Sequence, residues 1–208
     1  MDTASREPLC GRPRMIRIAR EIGSISILVV AVLAARSTFA DHYHVPSGSM
    51  EPTLVAGDRV VVDKRAFGLR VPFTQLHLTA GGPVARGDVV IFDSPRDGTR
   101  LIKRIVAVGG DLVDIHDGHL SINGVPQATA GDDDIELIGD RTVRLNLDHG
   151  GGPNFRQLIP PGKLLAVGDH RGNSLDGRIF GLVDQGAVYG RAIAVYYRSG
   201  SGFVWKKL

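Results

Sequence analysis

After residue 40 no long segment of this chain keeps the 3.6-residue period of a helix. Short β-branched or apolar runs stand in its place: Val60–Val62, Val89–Phe92, Leu101–Val108, Leu112–Ile115, Leu120–Ile122, Val143–Leu147, Leu164–Val167 and Ala192–Tyr197. Turn chemistry separates them. Gly-Asp recurs at Gly57-Asp58, Gly87-Asp88, Gly110-Asp111 and Gly168-Asp169. Asp117-Gly118 lies between two runs and predicts a hairpin, and Asn123-Gly124 is a second turn candidate. The pattern predicts a mostly β protein built on an antiparallel or mixed sheet. A length of 208 residues suits one domain with an appendage. The polar, Gly-rich stretch at about 126–160 carries Asp132-Asp133-Asp134 and Gly150-Gly151-Gly152. It reads as a variable insertion or loop region within that domain, not as a linker.

The N-terminus is of another kind. Arg12, Arg14, Arg17 and Arg20 precede an apolar run from Ile22 to Ala35, and Arg36 ends its unbroken part. A cleaved signal peptide has this form. A retained signal anchor has it too, if Arg20, Glu21 and Arg36 snorkel at the ends of a span over 22–40. A soluble amphipathic helix fits the unbroken apolar stretch less well. Either targeting reading places residues 1–21 in the cytoplasm and residues 41–208 outside, because the basic flank stays inside.

Charge and cysteine usage exclude several function classes. The net charge of +3 resides in residues 1–40, with six Arg against three acids; residues 41–208 carry 19 basic and 19 acidic residues. A neutral main domain has no general attraction for phosphate backbones, so no nucleic-acid partner is expected. The single cysteine, Cys10, allows neither an internal disulfide nor a cysteine-based zinc site. None of the seven histidines sits with a carboxylate in a recognised metal spacing, so they read as surface residues, and no metal or cofactor is expected.

Three segments carry candidate chemistry. The first is Val45-Pro46-Ser47-Gly48-Ser49-Met50-Glu51-Pro52-Thr53-Leu54, two serines on a tight loop stiffened by prolines. Alone it would pass for an ordinary turn. The second is Leu101-Ile102-Lys103-Arg104-Ile105-Val106-Ala107-Val108. Strand alternation places Lys103 on one face with Leu101, Ile105 and Ala107. An edge lysine would snorkel to water. A desolvated one would lose its proton readily and act as a base. The third is Gly168-Asp169-His170-Arg171-Gly172-Asn173-Ser174-Leu175-Asp176-Gly177-Arg178, either a solvated loop or a polar shell that orients a neighbouring group.

These segments, in this order, resemble the type I signal peptidases, membrane-anchored Ser/Lys proteases that remove signal peptides. Arg36–Phe39, Gly57–Lys64 and the Asp114–Gly124 hairpin extend the resemblance, which covers about residues 36–125 and 160–197. It implies Ser49 as nucleophile and Lys103 as general base, with Ser47 and the Ser49 backbone N–H forming the oxyanion hole. It implies that Ser174 hydrogen-bonds the Lys103 amine, and that Asp176 and Arg178 form a supporting ion pair. Val45, Pro46, Met50, Leu54 and Ile102 would help line pockets for small substrate residues. The implied protein is a signal-peptidase-type β domain behind one retained transmembrane helix, on the periplasmic side of a plasma or inner membrane. Its partners would be preprotein signal peptides at the membrane surface, cut after Ala-x-Ala, and the lipid bilayer. The support loop departs from the family pattern at His170, Gly172 and Gly177. A maturation protease dedicated to one substrate, such as a pilin or conjugation factor, is the neighbouring reading. A non-catalytic tethered binding domain would have no need for Ser49, Lys103 and Ser174 together.

Overall fold

Three of the four Gly-Asp dipeptides are the same turn. Gly57, Gly87 and Gly110 have φ of 92°, 91° and 97°, a region open to glycine. The aspartate that follows folds back on the main chain. Asp58, Asp88 and Asp111 accept from the N–H groups of Val55, Ala85 and Val108 at 3.1, 3.0 and 2.9 Å. Each of these buried carboxylates also meets an arginine: Arg198, Arg191 and Arg86, respectively. A turn of this kind leads into each of three strands and fixes where each begins.

The computed structural model describes residues 18, 20–29, 40–68, 81–129 and 131–208. Among these, the strands form three antiparallel sheets. The largest has the order β1-β2-β14-β3-β4-β12-β13, with β15 paired to β14. Its members are β1 (Ala40–His44), β2 (Arg59–Asp63), β3 (Val89–Asp93), β4 (Arg100–Val108), β12 (Lys163–Val167), β13 (Val183–Asp184), β14 (Val188–Arg198) and β15 (Gly202–Lys207). A second sheet, β11-β5-β6-β7, joins Phe155–Leu158, Leu112–His116, His119–Ile122 and Val125–Pro126. A third, β10-β9-β8, joins Arg141–Arg144, Asp132–Ile138 and Ala128–Thr129. The hairpin expected at Asp117-Gly118 joins β5 to β6, with φ of 48° and 88°. Asn123-Gly124 turns β6 into β7 in the same way, with φ of 54° and 79°.

The polar stretch expected as an insertion or loop region has its own strands. It supplies β8, β9 and β10 as a sheet, and β11 pairs with β5. Ile138, Val143 and Leu145 from it share a core cluster with Val106 and Ala107 of β4, Val113 and Ile115 of β5, and Leu165 and Val167 of β12. That cluster ties the three sheets together. A fully buried side chain such as Ile115 or Ile138 contributes about 1.5–3 kcal/mol relative to exposure.

Residues 20–29 are helical, and Ile22, Ile25, Ile27, Leu28 and Val29 are exposed. Among the described residues no helix is long and apolar enough to cross a membrane. Residues 1–17 and 30–39, which hold most of the basic N-terminus and much of the expected span over 22–40, lie outside the described residues.

Candidate active site

Three elements converge here. Ser47 precedes a 3-10 turn at Gly48–Met50, which buries Ser49 and Met50. Strand β4 is central in its sheet, between β3 and β12, and is buried from Ile102 to Ala107. The loop after β12 continues through a 3-10 turn at Arg171–Asn173 into helix α1 (Gly177–Phe180).

Alternation explains the lysine. Leu101 and Ile105, on either side of Lys103 along its face, pack in one cluster with Val90, Phe92 and Leu164. Ile102 turns the other way, into a cluster with Val45, Met50 and Leu54. Lys103 is left 3% exposed, and its Nζ hydrogen-bonds Ser49 Oγ. Burial pulls the amine down from 10.5 to about 8, working against the Asp176 and Asp169 carboxylates, which favour the charged form. A lysine so placed holds a usable neutral fraction near neutral pH, which an exposed lysine does not.

Ser47 Oγ lies 3.4 Å from Ser49 Oγ, on the exposed side of the loop. Two hydroxyls and one amine are thus brought to one spot from two elements. The support loop closes the far side. The His170 N–H donates to the Ser49 carbonyl at 3.2 Å. Asp176 is fully buried, caps α1 by accepting from the Arg178 N–H, and accepts from the Gly168 N–H at 3.0 Å. Arg178 grips it with two donors at 2.9 and 2.8 Å. The expected Asp176–Arg178 ion pair is therefore present, with both side chains buried. Space is tight: a Cβ on Gly168 would collide with Ser174 Oγ and the Ser49 carbonyl.

Two expectations need correction. Ser174 is at the site but does not hydrogen-bond Lys103; its buried Oγ has no hydrogen-bond partner among the described residues. The Lys103 amine is directed at Ser49 instead. Of the five residues expected to line substrate pockets, only Pro46 is exposed. Val45, Met50, Leu54 and Ile102 are 1%, 0%, 0% and 4% exposed and pack among Val60, Val62, Val89 and Val195. They are the floor under the serine loop and show no face to a substrate in this structure. His170 is a lesser departure, because it is buried where a surface residue was expected.

One group at the site escaped the sequence reading. Arg104 donates to both oxygens of Asp169 at 2.9 and 2.8 Å and to the Gly87 carbonyl at 2.8 Å. Thr53 Oγ1 donates to the same carboxylate at 2.5 Å. This clamp joins the serine loop, β4 and the support loop one residue away from Lys103. Gly168-Asp169 shares the recurrent Gly-Asp pattern of the sequence, but nothing in that pattern names Arg104 as its partner. Among the described residues no group of three His, Cys, Asp or Glu side chains could hold a metal ion.

Comparison with known proteins gives the family of the chain. The family model for signal peptidase, peptidase S26, matches residues 18–197. The signal peptidase I of Pseudomonas fluorescens is 29% identical over 221 residues, covering 94% of this chain and 77% of its own. That of Leptolyngbya laminosa is 26% identical, covering 94% of this chain and 88% of its own. A solved signal peptidase I from Enterococcus faecalis V583 is 30% identical over 52% of this chain and 95% of its own, with a TM-score of 0.36. The family match takes in the serine loop, the Lys103 strand and the support loop, and the chain belongs to the signal peptidase, peptidase S26 family.

Proposed function

We propose that this protein is a serine endopeptidase that cuts signal peptides from exported preproteins, with Ser49 as nucleophile and Lys103 as general base. The observation that carries the reading is the buried Lys103 amine, lowered to about 8 and hydrogen-bonded to the Ser49 hydroxyl. A serine hydroxyl is a weak nucleophile until a neighbour takes its proton. Neutral Lys103 accepts that proton as Ser49 Oγ attacks the scissile carbonyl carbon. The ammonium so formed then protonates the leaving amine, and a water molecule, deprotonated by the same lysine, releases the acyl group. The Ser47 hydroxyl and the Ser49 N–H are the proposed donors to the oxyanion. An amine has no tautomer to be fixed, so no carboxylate has to orient it as one orients histidine.

The same reading places the substrate and the membrane. The exposed apolar side chains of residues 20–29 suit lipid better than water, and the flanking arginines suit the cytoplasmic face. In this proposal residues 22–40 span the bilayer once, residues 1–21 stay inside, and the β domain works at the outer surface on preproteins with Ala-x-Ala sites. The test is cleavage of a purified preprotein by the wild-type enzyme and by Ser49→Ala. Release of the mature chain by wild type alone supports the reading; equal release by both overturns it.

A further inference from the structure

Glu136 lies on β9, in the stretch that resembles an insertion, yet it is fully buried. Its Oε1 accepts from the Leu120 N–H of β6 at 2.6 Å, and its Oε2 accepts from Arg171 Nη2 at 2.5 Å. Arg171 is 1% exposed and also donates from Nη1 to the Gly118 carbonyl in the β5–β6 turn. One guanidinium thus fastens the second and third sheets to the support loop. Arg171 follows His170, whose N–H holds the Ser49 carbonyl. The Arg171 carbonyl accepts from Arg178 Nη2 at 2.6 Å. Arg178 in turn holds Asp176, the carboxylate acting most strongly on Lys103. Every link from Glu136 to Ser49 and to Lys103 is a bond in the structure or a direct electrostatic effect.

A buried ion pair is poor value for stability alone, since two apolar side chains of similar volume pack at least as well. What an apolar pair does not supply is direction. We infer that Glu136 is a positioning residue for the Ser49–Lys103 pair, acting through Arg171, so that the small β8–β10 sheet is part of the catalytic machinery. The inference rests on the Ser/Lys reading given above.

The test compares wild type, Glu136→Gln, the double variant Glu136→Met/Arg171→Met, and Ser49→Ala, each as the full chain in detergent or vesicles. Peptide cleavage gives kcat and KM, and circular dichroism gives the folded fraction and Tm. The double variant leaves no unpaired buried charge, although the Leu120 N–H and the Gly118 carbonyl lose their side-chain partners, so its Tm should lie above that of Glu136→Gln. For a positioning role, kcat of the folded enzyme falls about tenfold or more in Glu136→Gln and stays low in the double variant, with KM little changed. For a role in folding alone, kcat recovers with Tm. A folded double variant with kcat within about threefold of wild type overturns the inference. If Glu136→Gln does not fold, the double variant decides alone. Ser49→Ala separates the two claims: its retention of full activity would sink the Ser/Lys reading itself, whatever Glu136 does.

Discussion

Lys103 Nζ and Ser49 Oγ are hydrogen-bonded although 54 positions separate them in sequence. The contact joins an interior strand of the largest sheet to a short turn, and the amine end of it is almost sealed from water. Burial makes the charged form costly, and the serine gives the neutral form a proton to take.

Removing either partner should abolish cleavage, and the two losses should not add, because the groups act as a unit. Lys103→Arg should be as inactive as Lys103→Ala, since a guanidinium keeps its proton. The check is kcat/KM on one peptide for the three single variants and the double Ser49→Ala/Lys103→Ala. Substantial turnover by Lys103→Arg contradicts the general-base role.

The buried ammonium should weaken the fold. With the amine lowered from 10.5 to about 8, the native state binds it neutral more readily than the unfolded chain does. Below pH 8 the cost is complete, about 3 kcal/mol; it shrinks as pH rises from 8 to 10.5 and is gone above that. Lys103→Met should therefore be inactive yet raise Tm at neutral pH, with the gain fading in alkaline buffer. Thermal melts at pH 6.5 and at pH 10 measure it, and an equal gain at both would refute the linkage.

Ser47→Ala should lower kcat by about 10²–10³ with KM little changed, because an oxyanion donor acts in the transition state. Ser47→Thr keeps the hydroxyl and should retain most activity. A loss confined to KM would assign Ser47 to substrate positioning.

Gly168→Ala adds one methyl group where Ser174 Oγ and the Ser49 carbonyl already stand. Either the serine turn or the support loop has to move, and a displacement of about 1 Å near the reacting atoms can cost about 10²-fold in rate. Cleavage by this variant at the wild-type rate would show that the loop has slack that the packing denies.

Much of this was legible in the residues themselves. All eight apolar runs fall in strands or at their edges, and alternation along β4 gave Lys103 its buried face. Strands β1, β9 and β15 were missed for one physical reason. Asp41-His42-Tyr43-His44, Asp132-Asp133-Asp134 and Trp205-Lys206-Lys207 are not apolar runs, and pairing with a neighbour makes them strands. The family resemblance implies pocket walls at Val45, Met50, Leu54 and Ile102, and their apolar character fits a core residue equally well, which is where the fold places them. Glu136–Arg171 and Arg104–Asp169 are non-local pairs, and charge in a sequence carries no sign of the burial that makes them matter.

The most direct measurement is the titration of the Lys103 amine itself, followed by NMR of selectively labelled lysine and set beside the acidic limb of kcat/KM. This account predicts an amine that titrates near 8, and a rate that rises through the same pH. That limb should persist when His42, His44 and His170 are replaced. An amine titrating near 10.5, or a limb that vanishes with one of those histidines, would contradict it.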